Sequence, residues 1–540
     1  VRASKRLISA FALLAFGLGT SAPSFAQNVT YNEILHSAQR PQDWLTYGGN
    51  YSSWRYSELK QVNTSNVNQL KMKWVYQLSH RGIFESSPIV VGGIMYVTEP
   101  PTTVTALDVH TGRPIWTWTA KLPRRLLTIG LFPTNRGVAI LGDTVYVAVI
   151  DAHLVALNAK TGAVKWEVKV GDNSTGVAIT QAPLALDGKI IVGMGGGEAG
   201  LRGYIDAYDA KTGKRLWRLY TVPKAGEPGV ETWEGDSWKY GGATTWNTGS
   251  YDPETNTIFW GTGNPAPDWN GDARKGDNLY SCSLLAINAS TGKMKWYFQF
   301  SPHETHDWDS AEPPILFDAK IDGKMRRLVG LANRNAFYYV LDRDTGKFIT
   351  GKDFVKQTWA KGLSPTGRPI QEPNNEPTLK GNLIYPSITG AVNWTSPSYS
   401  PLTGYVYVNS REQGAYYYKG NPTMEPANPQ DTGGGGGQKV VGGDKAYSAV
   451  RALEATTGDR KWQFKMVGDS WTGTLATAGN LVFCADAEGN FYALNATTGK
   501  PLWHVQLGSS VRANPVTYEV NGKQYVEAAA GNSIFTFSLP

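Results

Sequence analysis

A strand-like alternation of apolar and polar positions recurs along the chain. Each time it runs into an Asp/Asn-x-x-Thr-Gly turn, and in most copies a following strand ends in Trp. Clear copies are ALDVHTGRPIW (106–116), ALNAKTGAVKW (156–166), AYDAKTGKRLW (207–217) and AINASTGKMKW (286–296). VLDRDTGKFIT (340–350), ALEATTGDRKW (452–462) and ALNATTGKPLW (493–503) continue the series. In each turn the carboxylate or amide closes the loop and Gly supplies a positive φ.

Repeats of this length mark stacked supersecondary units, and the strand-turn-strand content selects β-sheets over a helical solenoid. The recurring Trp reads as a plug between one sheet and the next. Successive starts lie 50, 51, 79, 54, 112 and 41 residues apart. The gap of 112 contains SYSPLTGYVYV (398–408), which reads as a degenerate copy without Trp. Seven clear copies and this one predict an all-β, eight-bladed β-propeller, closed by pairing N- and C-terminal strands so that no sheet edge stays exposed. Two insertions, 221–242 and about 421–444, read as loops over one face, the second mobile.

Composition revises the domain count. A length of 540 residues suggests three or four domains, but 60 Gly, 30 Pro, 19 Trp and 27 Tyr favour one β-rich body. Residues 27–540 are therefore read as one domain. Two cysteines exclude a disulfide scaffold, a Cys-rich metal domain and a CxxCH haem attachment. Lys and Arg exceed Asp and Glu by only 52 to 45, without basic runs, which argues against nucleic-acid binding.

Arg2, Lys5 and Arg6 precede the apolar run Leu7 to Gly19, and Ser24 and Ala26 offer small residues at −3 and −1. This reads as a signal peptide, residues 1–26, too short to span a membrane; an uncleaved interfacial anchor is the alternative. Cleavage lowers the net charge from +7 to +4 and places a soluble mature chain, without an integral span, in the periplasm.

Chemistry must come from polar residues between the repeats. Glu198 follows a glycine-rich stretch, Asn264 lies in GTGNPAP, and Asp307 and Asp309 lie in HETHDWDS. Carboxylates with an amide oxygen suit Ca²⁺ or a trivalent lanthanide. Each also reads as an ordinary turn residue.

The Trp repeat together with WGTGNPAP and GDSWKYGG resembles the pyrroloquinoline quinone (PQQ) dependent alcohol dehydrogenases of the methanol/ethanol dehydrogenase type. The resemblance implies PQQ held flat near the propeller axis beside a cation, Ca²⁺ or a lanthanide. It assigns the quinone contacts to Glu85, Arg136, Thr180, Trp246, Arg334, Asn393, Trp394 and Trp471, with Gly195, Gly196 and Gly197 as a backbone cradle. Each Trp or Arg also reads as a blade plug or surface ion pair. Glu198, Asn264 and Asp307 match the metal site, and Asp309 matches the extra carboxylate of the lanthanide-using branch; a solvated loop carboxylate is its other reading. Asp307 and Arg334 match the catalytic pair, with Asp307 taking the alcohol proton and Arg334 stabilising the developing oxyanion.

One departure stands out. Many relatives carry vicinal cysteines over the quinone, where this chain has Gly130 and Leu131. Cys282 and Cys484 lie in predicted strands of different blades and read as two buried thiols, or as a disulfide after export. Without CxxCH, electrons are expected to pass to a separate c-type cytochrome. His303 and His306 have poor zinc spacing, and structural or substrate-facing roles fit better. The insertions are expected to choose the alcohol. Two other readings are a secreted scaffold like the outer-membrane assembly lipoproteins, and a hydrolytic propeller using Glu198 and Asp307.

Overall fold

The alternating segments form antiparallel strands in a computed structural model, which describes residues 28–128, 132–420, 436–441 and 446–540. The segment expected to be a signal peptide, residues 1–26, and the Gly130–Leu131 position lie outside them, as does the second insertion apart from residues 436–441. Among the described residues, seven sheets have four strands and one has five, with two smaller sheets of two and three. In chain order the large sheets span 89–119, 139–169, 184–220, 250–299, 315–353, 398–465, 475–506 and 516–538; they are called the first to the eighth below. Among the described residues α-helix is confined to one five-residue turn, Tyr31–Leu35, which opens on a Thr30–Glu33 capping box.

The second sheet shows why these sequences make these strands. Thr144–Ala148 and His153–Asn158 are almost wholly buried and nearly continuously apolar, as strands covered on both faces must be. The outer strand Val164–Lys169 alternates between exposed and half-buried positions. Trp166 on that strand donates its Nε1–H to the Ala210 carbonyl of the third sheet at 3.2 Å.

The same contact repeats. Trp116 reaches Ala159, Trp217 reaches Ala289 and Trp462 reaches Ala496, each at 3.0 Å. The turn glycine is required for it: a Cβ on Gly162, whose φ is +71°, would lie 2.6 Å from the Trp116 ring. The sequence-derived plug between sheets is therefore present. In the fifth sheet Thr350 stands where the others have Trp, and only a tyrosine contact remains: Tyr338 donates its hydroxyl to Ala455 O at 2.9 Å, as Tyr96 does to Ala159 O and Tyr146 to Ala210 O beside the Trp.

The structure corrects the repeat count. Ser398–Ser400 and Tyr405–Glu412 pair with Tyr447–Glu454 and Arg460–Lys465, so SYSPLTGYVYV and ALEATTGDRKW are two hairpins of the sixth sheet. The long interval between repeats is filled by insertions that build the two small sheets, not by another large one. The eighth sheet comes instead from both ends of the chain: Lys71–Gln77 pairs antiparallel with Ser533–Ser538. Its Trp74 donates to Val109 O of the first sheet at 2.8 Å and so supplies the plug there.

The insertion 221–242 has a small core of its own, with Val222, Trp233 and Ala243 buried together and Trp238 against them. Cys484 lies within Leu481–Ala485, whereas Cys282 immediately precedes Ser283–Asn288; both are free, buried thiols. Among the described residues no helix is long and apolar enough to cross a membrane.

Candidate active site

Each large sheet is preceded by a short loop that delivers a polar or aromatic side chain. Glu85 stands before Ile89–Val91, Arg136 before Ala139–Leu141, Thr180 before Leu184–Leu186 and Trp246 before Ser250–Asp252. Asp307 and Asp309 precede Ile315–Ile321, Asn393 and Trp394 precede Ser398–Ser400, and Trp471 precedes Leu475–Thr477. A second set follows the second strand of the third, fourth and fifth sheets: Gly195 to Glu198, Asn264 and Arg334. Equivalent loops of successive sheets therefore carry the sequence-derived residues.

One end of the site is cationic. Buried Arg136 pairs with Glu85 at 2.8 Å and donates to Thr180 Oγ1 at 2.7 Å. Its guanidinium carbon lies 5.1 Å from the Trp246 ring centroid and 4.6 Å from that of Trp394, in cation–π range. Burial raises the Glu85 carboxyl above its ordinary range, opposed by Arg136 and then Arg512. Trp471 joins this end through Arg411 and Arg512, at 4.4 and 5.3 Å from its ring centroid.

The other end is rich in carboxylates. Arg334 Nη1 pairs with Asp309 at 2.5 Å, and its Nη2 lies 3.7 Å from Asp307. Asp309 Oδ1 also accepts the Asn264 backbone N–H at 2.7 Å. The Asn264 amide donates to Asp268 at 2.8 Å, which turns its Oδ1 away from that carboxylate. Burial and mutual repulsion act on the whole group. They push Asp307 and Asp268 well above the ordinary carboxylate range and Glu198 to about 7. Asp309 is raised too, by burial, against the pull of Arg334 and the Asn264 N–H.

Of the two aspartates beside Arg334, Asp307 is the one a small molecule can reach: its side chain keeps 19 % exposure against 8 % for Asp309. Asp307 has a left-handed backbone, φ +62°. Its N–H donates to Glu304 Oε2 at 3.0 Å, and Glu304 Oε1 faces His306 Nδ1 at 3.2 Å. His306 stacks on Trp308 at 4.2 Å and bonds Asn375 O at 2.6 Å, so its role is structural. His303 Nδ1 bonds Gly276 O at 2.9 Å.

These residues fit a planar anionic cofactor with a cation. The Nε–H groups of Arg136 and Arg334 are both buried without a hydrogen-bond partner, leaving donors for an acceptor group. The glycine cradle is tight: Gly196 has φ +94°, and a Cβ there would meet Gly176 O at 2.1 Å. A buried group of carboxyls raised by mutual repulsion is relieved by a hard cation. Among the described residues no three His, Cys, Asp or Glu side chains converge as a ready-made metal cage, so the Asn264 amide and non-protein donors belong to any full ligand set. Asn393 is turned inward, its amide donating to Thr389 O at 3.0 Å and accepting the Trp394 N–H at 2.9 Å.

Sequence reasoning missed Glu304, Asp268, Glu312, Arg411 and Arg512. Glu312 is buried with both carboxyl oxygens unpartnered. Only Arg512 had a usable signal, its place before the first strand of the eighth sheet.

Residues 44–362 match the family described as glucose/ethanol/alcohol dehydrogenase, beta-propeller domain, and residues 446–539 match outer membrane protein assembly factor BamB. The chain is 40% identical over 538 residues to quinoprotein alcohol dehydrogenase PedH of Pseudomonas putida, covering 93% of this chain and 88% of that protein. It is 35% identical to the lanthanide-dependent methanol dehydrogenase of Methylacidiphilum fumariolicum, covering 96% and 89%. Among solved structures, quinohemoprotein alcohol dehydrogenase ADHIIG of Pseudomonas putida superimposes with a TM-score of 0.88 at 36% identity, covering 95% and 83%. A europium-containing methanol dehydrogenase gives 0.86 at 31% identity, covering 94% and 100%. The repeats, the site and these likenesses agree: the chain belongs to the PQQ-dependent quinoprotein alcohol dehydrogenases, a family of oxidoreductases.

Proposed function

We propose that this chain oxidises an alcohol to an aldehyde or ketone in the periplasm, using PQQ with Ca²⁺ or a lanthanide ion, and passes the electrons to a separate c-type cytochrome. The eight large sheets are then the blades of one propeller, closed where Lys71–Gln77 meets Ser533–Ser538. The observation that carries the reading is Asp307, a partly accessible carboxylate beside a buried guanidinium and within a group of carboxyls.

When bound, the quinone supplies the acceptor for the alcohol's α-hydrogen with its electron pair, and the cation supplies Lewis-acid polarisation. Arg136 and Thr180 would hold the anionic cofactor, with Trp246 and Trp394 as aromatic surfaces. Glu198, Asn264, Asp307 and Asp309 would hold the cation. Asp307 takes the hydroxyl proton as the carbonyl forms, and Arg334 steadies negative charge on the substrate oxygen. Four carboxyls, Glu198, Asp268, Asp307 and Asp309, outnumber Arg334 and Arg274 here, which favours a highly charged hard cation.

A non-enzymatic scaffold has the match over residues 446–539 in its favour, but leaves the buried carboxyls and unpartnered guanidinium N–H groups without a role. The test is to load apo-protein with PQQ and Ca²⁺ or La³⁺ and follow dye reduction by an alcohol. Alcohol-dependent reduction is expected; no quinone uptake, or no turnover with either metal, overturns the reading.

A further inference from the structure

We infer that Arg512 is a further ligand for the cofactor, binding one of its carboxylates alongside Arg136. The inference rests on the quinone reading above and on the order of the sheets. In the first seven sheets the loop before the first strand delivers Glu85, Arg136, Thr180, Trp246, Asp307 with Asp309, Asn393 with Trp394, and Trp471. Arg512, four residues before Val516–Val520, is what the eighth sheet delivers at the same place. The repeat geometry that brings the others together brings Arg512 to the same site.

Its contacts agree with that placement. Arg512 Nη1 lies 3.7 Å from Glu85 Oε1, and its guanidinium carbon lies 5.3 Å from the Trp471 ring centroid. It thus bridges two of the residues assigned to the quinone. Glu85 stands between two guanidiniums, with Arg136 on Oε2 at 2.8 Å and Arg512 on Oε1. Arg411, the other cation on Trp471, is neutralised by Asp469 at 2.7 Å. Arg136 and Arg512 therefore share one carboxylate, and one positive charge is left over at this end. At 3.7 Å the Arg512 contact is longer than a charge-assisted hydrogen bond, so its donors are not committed to Glu85. With 29 % of its side chain exposed, Arg512 can turn to an incoming anion without breaking a buried network. The neighbouring bridge of Val511 to Ala530 fixes its backbone.

The experiment is titration of the apo-protein, in Ca²⁺, with PQQ and with PQQ trimethyl ester, read by quenching of tryptophan fluorescence. Arg512→Ala is expected to weaken PQQ binding about tenfold, Arg512→Lys less, as suits loss of one charge-assisted contact. The trimethyl ester, which has no carboxylate charge, is expected to bind the wild type and Arg512→Ala equally. Thermal melting of each apo-variant separates a binding defect from a folding one, and Arg512→Lys keeps the charge if Arg512→Ala melts early. Equal PQQ affinity in wild type and well-folded Arg512→Ala overturns this inference and leaves the quinone reading intact. Equal weakening of both ligands overturns the carboxylate contact, and a wild type that takes up no PQQ overturns both.

Discussion

The backbone N–H of Asp307 donates to the Glu304 carboxylate at 3.0 Å, so the main chain of the candidate base is held by a buried acid three residues earlier. The other Glu304 oxygen faces His306 Nδ1, while His306 Nε2 must donate, because its partner at 2.6 Å is the Asn375 carbonyl. Burial pushes Glu304 up, but His306 and Arg274 outweigh it and hold the carboxyl below its ordinary range. An ionised Glu304 is thus built into the loop that sets the Asp307 backbone in its left-handed conformation.

Glu304→Ala is expected to lower kcat about 100-fold, the scale on which an ångström of misplacement acts on a catalytic group. Glu304→Gln keeps an acceptor for the Asp307 N–H and is expected to lose about tenfold. Quinone affinity, measured by fluorescence titration, is expected to stay within about twofold in both. A parallel loss of quinone binding and kcat would make Glu304 a general fold determinant instead.

Asp309 has two attachments, the Asn264 N–H and the Arg334 guanidinium, and Asp309→Asn separates them from charge. An amide oxygen can still accept from Asn264, but the anionic donor is gone. Activity reconstituted with La³⁺ is expected to fall about tenfold or more beyond any fall with Ca²⁺, because a trivalent ion depends more on ligand charge. Steady-state rates with each metal check this, and La³⁺ activity that survives intact removes Asp309 from the metal site.

The scaffold was legible in the sequence because the Trp plug is a local signal: the turn, its Gly and the Trp all sit within eleven residues. The degenerate copy at 398–408 was misread because hairpins of one sheet resemble hairpins of neighbouring sheets, and only strand pairing distinguishes them. The Asp307, Asp309, Glu198 and Asn264 segments stood out by motif. Arg512 and Asp268 lie in no such motif; Arg512 had only its place before the first strand of the eighth sheet, and the significance of both lies in contacts with Glu85 and Asn264, residues that the fold rather than the local sequence places beside them. Glu304 sits in the same motif as Asp307, yet its role depends on a backbone N–H that no motif displays.

Metal uptake is expected to weaken as pH falls from 8 to 6. Burial raises Glu198 from 4.5 to about 7, so it is largely protonated at pH 6 and ionised at pH 8, and a hard cation must displace that proton to bind. The same shift makes the metal-free fold relatively more stable below this window, because a raised acid loses its stabilising proton as pH rises through 7. Calorimetry of Ca²⁺ or La³⁺ binding in two buffers of different ionisation enthalpy reads the proton release directly. Affinity independent of pH across this range would show that Glu198 is not among the groups the metal displaces.

The plug between sheets gives a stability test that leaves the site untouched. Trp116 is half-buried and spends its indole N–H on Ala159 O, while Tyr338 serves the fifth sheet through one hydroxyl on Ala455 O. Trp116→Ala removes ring packing and hydrogen bond together and is expected to cost about 2–4 kcal/mol. Tyr338→Phe keeps the ring and leaves a buried carbonyl unpartnered, at about 1–2 kcal/mol. Thermal midpoints of the apo-proteins are expected to fall in that order, Trp116→Ala further than Tyr338→Phe, with PQQ affinity unchanged in both. Equal midpoints for wild type and Trp116→Ala would mean that the strands and the Tyr96 hydroxyl, which also donates to Ala159 O at 3.0 Å, hold these neighbouring sheets together without the indole.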